Sequence, residues 1–143
     1  MSSYARSAAA GAAAAVAWGA LEPLDRRALR SDYSDIALLG KAVTGRHWRG
    51  VGFALHAANG AAFGLAYEAL RRRTGAEPRR LALGLALAEH VGLYPLSYLV
   101  DRHHPRRGQE GIPPLLRNGR AFAQATWRHA VFGVLLGRLA APR

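Results

Sequence analysis

Four long apolar stretches, residues 8–24, 51–70, 81–100 and 121–139, alternate with three polar connections that hold nearly every arginine of the chain. Each stretch approaches the roughly 20 residues that a helix needs to cross about 30 Å of hydrocarbon. Within them only Glu22, Glu68, Glu89, Arg128 and Arg138 carry charge, and Glu68 and Arg138 lie near ends from which a long side chain reaches water. A soluble bundle carries charge along one face of every helix. The pattern therefore predicts an all-α fold, a polytopic membrane four-helix bundle that is multi-pass in the cell's inner membrane. The first stretch is the least hydrophobic, and Arg6 followed by an alanine-rich run and Ala15-Val16-Ala17 also fits a cleaved signal peptide. The repeat described next favours a retained helix instead.

The string His-Ala-x-x-Gly-x-x-x-Gly begins at His56 and again at His129, 73 residues on. Leu21-Glu22-Pro23-Leu24 aligns with Leu93-Tyr94-Pro95-Leu96, and Leu38-Leu39 with Gly45-Arg46 has a counterpart in Leu115-Leu116 with Gly119-Arg120. Three matches in one order at nearly one offset point to an internal duplication. The chain then reads as one membrane domain of two tandem two-helix repeats, residues 1–72 and 73–143, related by a parallel pseudo-two-fold axis. The connection at residues 71–80 has five arginines in ten residues and is expected in the cytoplasm, which places both termini there as well. In the first connection residues 34–43 predict a short amphipathic helix capped by Ser34, with Ile36, Leu39 and Val43 on its apolar side, lying at the membrane interface. The third connection contains Pro105, Pro113 and Pro114 and is expected to be irregular.

Small residues recur at every fourth position: Gly52, His56, Gly60 and Gly64 in the second stretch, and Ala125, His129, Gly133 and Gly137 in the fourth. Residues four apart share a helix face, and small-residue columns let helices approach closely. Gly84, Ala88 and Gly92 form the corresponding column of the third stretch, and Gly11, Ala15 and Gly19 that of the first. Both histidines therefore point into the bundle. Because alternate helices run in opposite directions, Glu22, His56, Asn59, Glu89, His90, Tyr94, Arg128 and His129 are expected in one polar layer, with His90 projecting away from its column.

Composition removes several chemistries. With 143 residues there is one domain, and with no cysteine there is no disulfide or thiolate site. The net charge of +11 is nearly all arginine, Lys41 being the sole lysine, a usage expected of GC-rich coding. Nucleic acid is not an expected partner, because the basic residues are not interleaved with exposed aromatics; Trp48 suits an interfacial anchor. No Walker loop, zincin motif or serine triad occurs, so no catalytic residue is assigned. Three readings of the layer stay open. It is a structural network in an accessory subunit of a larger membrane complex or a homo-oligomer. Alternatively His56 and His129 hold a b-type haem or a metal ion. Alternatively the layer serves transport of a small solute or proton by an oligomer. A di-iron carboxylate site is disfavoured, because neither Glu22 nor Glu89 has a histidine three residues on.

Overall fold

Ser2 opens the first helix by accepting a hydrogen bond from the Ala5 amide, and the helix α1 then runs Ser3–Leu29 straight through Pro23. In the computed structural model of the chain, which describes residues 1–141, it is followed by α2 (Asp35–Val43), α3 (Trp48–Thr74), α4 (Pro78–Leu93), a 3₁₀ turn (Tyr94–Leu96), α5 (Ser97–His103) and α6 (Gly119–Leu139). No strand occurs among the described residues. Stops and starts follow the local chemistry. α1 ends where Arg30 turns left-handed at φ 49°, α3 ends at Gly75 with φ 62°, and Glu77 with Pro78 at the first position starts α4.

α1 packs on α3 and on α6, α4 packs on α6, and α2 lies against α3. The glycine columns of α3 and α6 make this possible. The Gly60 and Gly64 faces lie against the α1 backbone at Gly11 and Ser7, and a Cβ on Gly133 would stand 2.7 Å from Leu83 Cα of α4. Gly137 likewise meets Arg79. Each half of the chain thus pairs its first long helix with its last. Alanines, Trp18, Tyr67, Phe132 and Leu136 fill the space that remains, while among the leucines only Leu115 and Leu136 are fully buried.

Four expectations need correction. The first is the four-span membrane bundle. Among the described residues only the Pro78–His103 segment is both long and apolar enough to be a candidate span, and little of it is buried. The other long helices fall short because polar residues interrupt their apolar runs, Glu22 in α1, His56, Asn59 and Glu68 in α3, and Gln124, Arg128, His129 and Arg138 in α6, while their glycines add no hydropathy. Lacking charge is not the same as being hydrophobic enough to enter lipid.

The second concerns Gly84 and Gly92, which meet open space and support no close packing. α4 buries Ala82, Ala86 and His90 instead, because alanine is small enough for this contact. Third, the stretch at residues 81–100 is not one helix. Pro95, with no amide hydrogen to donate, falls in the 3₁₀ turn between α4 and α5. Fourth, α2 is capped by Ser34 as expected, but it buries Ile36, Ala37, Gly40 and Lys41, and leaves Val43 exposed. Its inner face is chosen by backbone contact, Gly40 against the Trp48 carbonyl and Gly52 against that of Ile36.

The connection after α5 straps the second half over α2. His104 donates from Nε2 to the Leu38 carbonyl at 2.9 Å and accepts the Arg106 amide at Nδ1, Lys41 donates to the Glu110 carbonyl at 2.7 Å, and the Ser34 amide donates to Gly111 at 3.0 Å. His104 is buried by these contacts rather than solvated in an open loop.

Candidate functional site

Two polar centres lie side by side, and they differ in how completely their hydrogen bonds are used. The first is built on Arg128, which is 1% exposed. Its guanidinium has five N–H groups in a fixed fork, and each has an acceptor. Nε and Nη2 reach Asp25 at 2.6 and 2.7 Å, Nη1 reaches Asp35 at 2.6 Å and Glu22 at 3.3 Å, and Nη2 also meets the Tyr33 carbonyl at 3.2 Å. Gln124, one turn before Arg128 on α6, donates to Asp25 at 2.7 Å. Glu22 in turn accepts from Ser34 Oγ at 2.6 Å and from the amides of Asp35 and Ile36 at 2.8 and 3.2 Å, so its carboxylate caps α2.

Three carboxylates thus surround one guanidinium, and their protonation reflects the imbalance. Burial and the neighbouring Asp35 push the Glu22 carboxyl above its usual value, Arg128 only partly offsetting them. Burial also works against charge on Asp35, but Arg128 and His56 bring its carboxyl below the ordinary range. Burial disfavours the charge on Arg128, and the hydrogen bonds to Asp25 with the attraction of Asp35 and Glu22 more than restore it. Every N–H of Arg128 is thus matched, Gln124 Oε1 alone of this centre is buried without a partner among the described residues, and the network ties α1, α2 and α6 together.

The second centre is less complete. Trp18 of α1 stands edge-on to His56 and to His129, with ring centroids at 4.8 and 4.9 Å. His90 stacks on His129 at 4.8 Å and meets Thr126 Oγ at 2.9 Å. Thr126 already donates to the Phe122 carbonyl, so His90 Nε2 is the donor in that bond. His129 Nδ1 lies 2.8 Å from the Ala125 carbonyl, which only accepts, so Nδ1 carries the proton. Nε2 then faces Glu89, 3.9 Å away and too far for a hydrogen bond, and is bare in the neutral form of the ring. Burial raises the Glu89 carboxyl and lowers both His56 and His90 from their ordinary values. His56 is 5% exposed, and its Nε2 has no hydrogen-bond partner.

Two connected hollows adjoin these groups. An inner cavity of about 170 Å³ is lined by Trp18, Asp35, His56, Asn59, Glu89 and His129. A larger cleft of about 320 Å³ runs outward between α4–α5 and α6 past Leu93, Leu96, Val100 and Phe122. Leu38, Glu89, Leu93 and His129 belong to both.

The expected polar layer is therefore split. Glu22 and Arg128 meet in the first centre; His56, Glu89, His90 and His129 gather at the second. Asn59 reaches the inner cavity from an exposed position, and Tyr94 sits at the cleft, its hydroxyl accepting the Arg117 amide at 3.0 Å. His90 lies opposite the Gly84 and Gly92 column, but it is this column that meets open space, so His90 faces inward with Ala82 and Ala86. Asp25, Tyr33, Asp35 and Gln124 were not anticipated. Asp25 falls three residues after Glu22 and Gln124 four before Arg128, and these same-face spacings were the available signal.

The residues do not fit a haem. Trp18 stands against both candidate axial histidines, and the glycines beyond them are covered by the backbones of α1 and α4, so no flat slot exists. Among the described residues no group of three or more histidine or carboxylate side chains is placed to hold a metal ion. No protein-family model, curated protein or solved structure matches the chain, so the geometry of these two centres alone carries the functional argument.

Proposed function

We propose that the chain binds a small amphiphilic molecule in the cleft between α4–α5 and α6, and that it works in contact with a lipid surface. The observation that carries the reading is an apolar cleft that ends on a polar wall where Glu89 and, in the neutral ring, His129 Nε2 have no donor among the described residues. Ligand pockets have this make-up, apolar walls for the body of the ligand and a few convergent polar groups for its end. The Arg128 centre, whose guanidinium is fully matched, adjoins this wall and is assigned a structural part. The cleft borders an apolar stretch of the exterior, where Val91, Leu93, Leu96, Tyr98 and Leu99 are exposed, and this supports a ligand arriving from lipid.

The test is titration of the protein with 1-octanol, followed by the chemical shifts of the Ala121 and Ala125 methyl groups, both of which line the cleft. Saturable shifts that vanish in Ala125→Phe, which fills the cleft, are the expected result. Shifts that grow without saturation, or that persist in Ala125→Phe, would place the alcohol on the outer surface and end this reading.

A further inference from the structure

We infer that the polar end of the ligand is a protonated amine, seated in the inner cavity beneath the cleft. The inference rests on the cleft reading and specifies its ligand. It starts from two groups in that cavity, Glu89 and His129, with unused acceptor capacity among the described residues. In the neutral ring His129 Nε2 bears a lone pair, because Nδ1 is committed to the Ala125 carbonyl at 2.8 Å. Glu89 lies 3.9 Å from it and is the one carboxylate of the two centres with no arginine partner among the described residues. Beside them His56 Nε2 and Trp18 Nε1 are buried with no hydrogen-bond partner among the described residues. An unmet polar atom at such depth is costly to leave unbonded.

Charge selects among ligand heads. Glu22, Asp25 and Asp35 outnumber Arg128 three to one, and Asp35 also lines the cavity. A carboxylate or phosphate head meets Glu89 and Asp35 at close range and is repelled. A hydroxyl is tolerated but brings one proton for two acceptors. A primary ammonium brings three N–H donors and a positive charge, and its hydrogen bonds of about 2.9 Å span a wider set of acceptors than metal–ligand bonds of about 2.1 Å. That difference in reach explains why acceptors too spread for a metal ion suit an ammonium. The shared lining residues let the tail of the same molecule lie in the cleft.

The experiment compares n-octylamine, 1-octanol and octanoate at neutral pH, read by the fluorescence of Trp18 in a Trp48→Phe/Trp127→Phe variant. Octylamine is expected to bind about tenfold more tightly than octanol, as one added charge-assisted hydrogen bond implies, with octanoate weakest. In Glu89→Gln, which removes the carboxylate charge and keeps its shape, the amine's advantage over octanol is expected to disappear. Equal binding of all three probes, or preference for octanoate, would overturn the ammonium assignment and leave the cleft standing. If no probe binds, or all bind equally to Ala125→Phe, the cleft reading itself fails.

Discussion

A buried carboxylate keeps its charge only where its lone pairs are taken up, and Glu68 meets this condition more fully than Glu22. Glu68 is 1% exposed, yet it accepts from Arg71 twice at 2.9 Å, from Arg72 at 3.1 Å and from Ser7 of α1 at 3.2 Å. The hydrogen bonds from Arg71, ahead of the opposing effect of burial, hold its carboxyl at about 2 rather than 4.5. A folded value below the unfolded one means stability that is present above pH 4.5 and lost as pH falls through about 2. The shift corresponds to at most about 3 kcal/mol, less in practice because Arg72 stands half in water. Glu68→Gln is therefore expected to be less stable than the parent by up to that amount at pH 6, with the gap closing between pH 4.5 and 2 in stepped urea unfolding. A gap unchanged across this range would detach Glu68 from the acid response. The sequence marked Glu68 as a charge near a helix end free to reach water. Its partner Ser7 lies on another helix and gave no local sign.

At the scale of elements, spacing identified the right glycines in α3 and α6 and the wrong ones in α4. The difference is physical. In α3 and α6 the glycine column is the smallest face, so close approach has one solution. In α4, Ala82 and Ala86 offer a second small face, and the packing of α6, with Gly133 against Leu83 and Gly137 against Arg79, selects it. The two glycine classes should respond oppositely to alanine. Gly60→Ala drives a methyl into the Gly11 carbonyl and the Ala15 side chain, neither of which is a flexible tip, and is expected to cost about 2–3 kcal/mol, the upper part of the overpacking range. Gly84→Ala and Gly92→Ala meet open space and are expected to stabilise by about 0.5–1 kcal/mol each through helix propensity. Chemical denaturation of the three variants checks both signs at once. A destabilised Gly84→Ala would restore the column that the sequence pattern proposed. The polar centres were half legible for a related reason: Glu22, Arg128 and the histidines stand out in apolar stretches, whereas Asp25 and Asp35 fall in a polar connection and reach Arg128 only because α2 folds back onto α1 and α3.

At the scale of the molecule, the distribution of side chains is unusual for a chain with so few candidate spans. Alanine, glycine and ionised groups fill the interior, while Val91, Leu93, Leu96, Tyr98 and Leu99 stand on the exterior of one continuous segment. Burying each large apolar side chain is worth about 1.5–3 kcal/mol, so a surface of this kind gains by meeting an apolar phase. If that phase is lipid, the gain belongs to the exterior and not to folding, and the two are separable. Val91 and Leu99 are 61% and 49% exposed, and neither lines the cleft. Val91→Glu/Leu99→Glu should leave unfolding free energy within about 0.5 kcal/mol per site, as surface changes do, and leave octanol binding in the cleft intact. The parent chain is expected to float with phosphatidylcholine vesicles in a density gradient, and the doubly charged variant to remain several-fold more in the aqueous fractions. Retention of the parent in the aqueous fractions, or equal flotation of both, would assign this face a role other than contact with lipid.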